Sequence, residues 1–215
     1  MPNEHPNTPN IPSTSAVLRI QSSTVIHGPI DQVWAALTDT STWPSWNKFV
    51  PQVTIREQPE NTEDDSPTLS LGSRFTFHVN MYPEPETPAD AATAKQLGNV
   101  NLRDTYLKVI ECEAPTSASA STSTPTQGRK ARIVWASDGA ADGLIMSSLL
   151  TAERVHELVE VQVEGEEGKV VTEVRNWESQ VGYLAYVVRW IFEGRLRENF
   201  GIWESGLKGY VEGRK

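Results

Sequence analysis

The chain has 215 residues, of which 38% are hydrophobic and 22% charged, a balance that suits one soluble globular domain with insertions, or at most two small ones. A net charge of −9 and an isoelectric point near 5.0 argue against nucleic acid or an anionic membrane as the main partner. The lone cysteine, Cys112, leaves no internal disulfide and no cysteine-based zinc site, and in the strand-like run LKVIECEA it reads as a buried small hydrophobe.

The first fifteen residues, MPNEHPNTPNIPSTS, lack the basic region and apolar core of a secretory signal, and their composition predicts a disordered arm. The remainder, 16–215, is expected to be one domain. An extended segment from Val17 to His27 reads as the first strand and ends at Gly28-Pro29. Pro29 then opens a helix whose apolar face carries Val33, Trp34 and Leu37, closed by Asp39 to Ser41. Trp43, Trp46 and Phe49 follow at once around Pro44. So much aromatic area beside a helix end is suited to roofing a core or lining the mouth of a cavity.

Strands are expected at 51–57, 73–81, 101–113, 129–138, 150–163 and 169–181. In the second of these, Phe75, Phe77, Val79 and Met81 share one face, which puts His78 on the other. The run EGEEGK at 164–169 reads as the turn of an antiparallel hairpin between the last two strands. Polar insertions at 58–70, 83–99 and 114–128 interrupt the pattern, and the last is low-complexity linker by composition.

After Gly182, residues 183–212 predict one long helix with a drifting apolar stripe through Leu184, Val188, Ile191, Leu196, Phe200, Trp203 and Leu207. Gly194, Gly201, Gly206 and Gly209 are costly inside it, at roughly 1 kcal/mol each relative to Ala. Either they permit a close approach or leave room for a ligand, or they kink and fray the helix. The apolar run YLAYVVRWIF is too short to span a bilayer and contains Arg189. Integral membrane association is therefore not expected, and the cytoplasm is the expected location.

This order of elements resembles that of the START-like (SRPBCC, polyketide cyclase/dehydrase) superfamily. Leu71-Gly72-Ser73-Arg74 is similar to its entry to a strand. Arg154-Val155-His156-Glu157-Leu158 and Thr172 to Gly182 are similar to its last two strands, and Leu207-Lys208 to a recurrent pair in its final helix. The resemblance covers about 17–212 outside the insertions. It implies an α+β helix-grip fold, a curved antiparallel sheet around the C-terminal helix, enclosing a cavity for a hydrophobic small-molecule ligand. Gln180 stands where the family favours an aromatic and Asn176 where a His is frequent, so the cavity is expected to be more polar than usual.

A turn at 164–169 sets His156 opposite Asn176 or Glu178, with matching parity, and the family alignment turns both faces inward. His156 and Glu178 are thus the candidate acid–base pair, with the alternative that they only satisfy each other inside the fold. Phe75, Phe77, Tyr106, Trp135, Leu158, Asn176, Gln180, Tyr183 and Trp203 are the candidate ligand contacts. No metal-ligand spacing, phosphate loop or nucleophile elbow occurs, so neither metal nor cofactor is expected. Three functions remain open: a cofactor-independent cyclase, dehydratase or isomerase acting on a polyketide-like substrate, a carrier of a lipid, sterol or quinone, and an interaction domain with a filled cavity. Oligomeric state is not legible.

Overall fold

The computed structural model describes residues 6–60, 62–63, 65–83, 102–116, 128–163 and 169–213, except for the side chain of Leu144. Much of the insertions at 83–99 and 114–128, and the turn at 164–168, lie outside these residues.

Strand β1 (Leu18–Ile26) leads into helix α1 (Ile30–Thr38) and a 3-10 turn over Thr40–Ser45. Strands β2 (Gln52–Glu57), β3 (Arg74–Val79), β4 (Arg103–Glu113) and β5 (Lys130–Ser137) follow. Helix α2 (Gly139–Leu149), for which the sequence pattern gave no signal, comes before β6 (Thr151–Gln162), β7 (Val170–Val181) and the long helix α3 (Tyr183–Val211). The seven strands form one antiparallel sheet in the order β1-β7-β6-β5-β4-β3-β2. From β2 to β7 each strand pairs with its neighbour in sequence, with α2 inserted between β5 and β6, and at the β1–β7 seam the first strand returns beside the last.

One face of this curved sheet grips α3. From the sheet, Leu18, Ile20, Phe75, Phe77, Leu107, Val109, Ile133, Trp135, Leu158 and Val174 point inward. They meet Leu196, Phe200, Trp203 and Leu207 of α3 in a single core. Burying a large apolar side chain contributes roughly 1.5–3 kcal/mol, so this face dominates the favourable side of folding. Trp43 fills the centre, with ring centroids 5.3 Å from Phe77 and 5.7 Å from Trp46, and Trp46 stands edge-on to Trp203 at 5.6 Å. The Trp-rich segment therefore fastens the 3-10 turn onto both the sheet and α3.

Two glycines are demanded by geometry. Gly182 turns the chain from β7 into α3 at φ 102°, and a Cβ there would lie 2.2 Å from the Leu149 carbonyl oxygen. A Cβ on Gly206 would lie 2.2 Å from the Trp46 carbonyl oxygen, so this glycine lets α3 press against the 3-10 turn.

The outer face carries a smaller cluster of Val134, Val155 and Trp177. Here the expectation of a disordered arm over 1–15 needs correction for residues 6–15; residues 1–5 lie outside the described part. Ile11 and Thr8 are buried. Asn10 donates through its backbone N and its Nδ2 to the Glu153 carboxylate, at 2.9 and 2.7 Å, and Trp177 Nε1 donates to the Asn7 carbonyl at 3.2 Å. One buried isoleucine and a bidentate anchor outweigh a composition that looks unstructured.

Candidate functional site

A cavity of about 440 Å³ opens between the grip face of the sheet and the first half of α3. Its walls are mostly apolar: Phe49, Phe77, Val79, Leu107 and Trp135 on one side, Val188, Phe192 and Leu196 of α3 on the other. Met146 and Leu150, from α2 and the residue after it, close one end. Arg154, Glu178 and Gln180, on neighbouring strands, give one wall its polar character. A second, larger recess of about 680 Å³ lies on the outer face. Its charges already neutralise one another, since Arg132 pairs with Glu111 at 2.8 Å and Arg175 with Glu173 at 2.8 Å. The grip cavity is the better candidate because its polar groups are not so satisfied.

Strand register decides which groups meet. In the β6–β7 hairpin His156 stands opposite Asn176 and Arg154 opposite Glu178. The expected His156–Glu178 pair is therefore not formed: Arg154 stands across from the carboxylate, one alternation away from the histidine. His156 is fully buried between Trp135 and Trp203, with ring centroids at 4.3 and 4.7 Å, and neither ring nitrogen has a hydrogen-bond partner. Burial, reinforced by the nearby Arg154 charge, drives its pKa well below the ordinary histidine value, so the imidazole is neutral.

Arg154 holds the central position. Its Nε donates to Asn176 Oδ1 at 3.0 Å, its guanidinium lies 4.0 Å above the Phe200 ring, and its Nη2 has no acceptor. Burial lowers its pKa to about 10, opposed by the Glu178 and Glu204 carboxylates. Burial in turn raises the pKa of Glu178, against the pull of Arg154 and of Gln180 Nε2, which donates to Glu178 Oε1 at 2.6 Å. Glu204 of α3 is also raised by burial, with Ser22 and Arg154 opposing. Gln180 Oε1 and Asn176 Nδ2 remain unpartnered. Several buried donors and acceptors left open around one charged group is uncommon, because each such orphan costs on the order of 1–3 kcal/mol.

The other expected contacts fall into three groups. Phe77, Trp135 and Gln180 line the cavity, and Asn176 orients Arg154. Phe75, Leu158 and Trp203 are buried in the core behind its wall. Tyr106 and Tyr183 are corrections. Tyr106 lies on the outer face, beside the Arg56 guanidinium 5.2 Å from its ring, because Leu107 takes the inward position. Tyr183 begins α3 on the solvent side. His78 is on the outer face, as its parity implied, with Nδ1 2.8 Å from Asp104 and Nε2 2.8 Å from Thr54. Arg154 was missed although the parity that selected His156 also places Arg154 inside.

Residues 17–152, more than half of the chain, match the family model for polyketide cyclase / dehydrase and lipid transport proteins. The chain belongs to this family. It is 40% identical over 212 residues to the "oxopyrrolidines biosynthesis cluster protein O" of Penicillium oxalicum, covering 97% of this chain and 94% of that protein. Among solved structures it is similar to a hypothetical protein from Helicobacter pylori, with a TM-score of 0.61 at 15% identity over 97% of this chain and 98% of that one. That likeness concerns the fold alone, which is the START-like helix grip. No helix among the described residues is long and apolar enough to cross a membrane.

Proposed function

We propose that the cavity binds a hydrophobic, carbonyl-bearing molecule of polyketide type and promotes its cyclisation or dehydration by acid–base chemistry. The observation that carries this reading is the acceptor-free Nη2 of Arg154, a residue on the polar wall of a mostly apolar cavity. A ligand oxygen beside it would supply the missing acceptor and offset part of the cost of burying the charge. A guanidinium so placed also stabilises the enolate that forms when a proton leaves the carbon next to a carbonyl.

Glu178 serves as the acid–base group. Burial raises its pKa, which makes the carboxylate a stronger base than an exposed one, so it can take that proton and pass it to a leaving hydroxyl. In the dehydration, a C–H bond and a C–O bond break, a C=C bond forms and water departs, with no external oxidant or reductant. Gln180 Oε1 is an acceptor for a ligand hydroxyl. His156, enclosed by two tryptophans, packs behind the site and takes no proton in this scheme. Membership of the cyclase/dehydrase family supports the reading, as does the biosynthesis-cluster name of the Penicillium relative.

The mostly apolar lining also favours a second reading, a carrier without catalysis. Glu178→Gln separates the two. It should abolish turnover of a β-hydroxy ketone substrate while leaving affinity within about tenfold. Unchanged turnover would remove the acid–base role and leave the carrier.

A further inference from the structure

Helix α3 is apolar on both sides along its first half. Val188, Phe192 and Leu196 face the cavity, while on the opposite side Trp190 is 87%, Tyr183 80% and Tyr186 62% exposed. Arg189 and Glu193 interrupt the outer side, but large aromatic rings exposed together beside them form a patch of the kind that a partner covers. At roughly 150–250 Å² per aromatic side chain, these three rings alone expose on the order of 500 Å². With Val187 and Ile191, also exposed, the patch approaches the ~800 Å² that each partner contributes to a stable interface.

The same outer row changes character further along. Tyr183, Val187, Trp190, Gly194, Arg197 and Gly201 succeed one another at spacings of three or four, so they lie along one line of the helix. A Cβ added at Gly194 or Gly201 would meet nothing within 4 Å. Gly206 differs, because it presses on the Trp46 carbonyl. Nothing inside the described chain therefore accounts for two helix-weakening glycines on the exposed row.

We propose that this row is the interface of a two-fold homodimer in which the α3 helices of two copies pack antiparallel. With the two-fold axis crossing the outer row midway between Trp190 and Gly194, Trp190 of one copy seats over Gly194 of the partner subunit, and Tyr183 over Gly201 of the partner subunit. Two large rings and two gaps on one surface are self-complementary, which is the requirement of an isologous contact. The overlap runs about 27 Å, at 1.5 Å per residue. Small residues opposite large ones let the helices approach closely. A second copy fits this row better than an anionic lipid surface, which the net charge of −9 opposes.

Sedimentation velocity on the full chain, from about 1 µM to 1 mM, tests the proposal. The expected result is a dimer whose dissociation constant rises at least about tenfold in Gly194→Leu, Gly201→Leu and Trp190→Ser. The two leucine variants should keep their circular dichroism and melt no lower as monomers, because leucine is the better helix former. A monomer across the whole range overturns the proposal. So does a dimer untouched by all three changes. A monomer that sediments with phosphatidylcholine vesicles and loses this in Trp190→Ser assigns the row to a lipid surface and overturns it too.

Discussion

Arg154 is the residue on which the site turns, and its substitution touches both binding and folding. Arg154→Met keeps an extended apolar stem on the Phe200 ring while removing the charge. The change takes the donor from Asn176 Oδ1 and the nearby cation from the buried Glu178 and Glu204 carboxylates, at a cost on the order of 3–5 kcal/mol. The variant should therefore melt lower than wild type, and below its melting point ligand affinity should fall at least about tenfold. His156 makes a complementary expectation. Its folded pKa lies well below that of the unfolded chain, so its stabilising contribution is full above about pH 6.5 and is lost as pH falls below it. The unfolded chain binds the proton there and the native chain does not, which gives a slope of about 1.4 kcal/mol per pH unit. Glu178 and Glu204, whose pKa values are raised, act in the opposite direction: their contribution is full below the unfolded carboxylate value and is lost as pH rises through the folded one. Urea unfolding between pH 5 and 7 should therefore show a shallower acid loss in His156→Leu than in wild type. Equal slopes would mean that His156 is not neutral in the native state.

At the scale of elements, strands and helices were legible because their periodicity is local, whereas partners across the sheet depend on a register that one residue can shift. The β6–β7 turn was placed closely enough to put His156 opposite either Asn176 or Glu178, and the observed register selects Asn176. That offset puts Arg154, rather than His156, across the strands from the Glu178 carboxylate. Helix α2 escaped because GAADGLIMSSL has neither a clear apolar stripe nor a strand alternation, and Gly143 kinks it at φ 80°. Tyr183 was misplaced because the apolar pattern of α3 does not say which of two apolar sides faces the sheet. The arm over 6–15 was misread for another reason: its single anchor, Ile11, is invisible to composition. Deletion of residues 1–15 should lower stability by about 2–4 kcal/mol, as expected for one buried isoleucine and a bidentate hydrogen bond. Chemical unfolding of the truncated chain checks this, and a loss below about 0.5 kcal/mol, the usual effect of a plain surface change, would show the arm to be idle.

The whole molecule is a sheet closed on one helix, and the two sides of that helix divide its roles. The inner side completes the core and one wall of the cavity, and the outer side carries the aromatic row. The sheet's concave face supplies an apolar container, and the β6–β7 strands add a charged, incompletely satisfied wall. The most direct test is a tryptophan-fluorescence titration with an acylated cyclic 1,3-diketone, a probe with an apolar tail and an enolic oxygen pair, because Trp135 lines the cavity. Wild type and Arg132→Met, altered only on the outer face, should bind the probe alike, while Arg154→Met should bind it at least about tenfold more weakly. Equal affinity in Arg154→Met and wild type, or a loss confined to Arg132→Met, would contradict a ligand site built around Arg154.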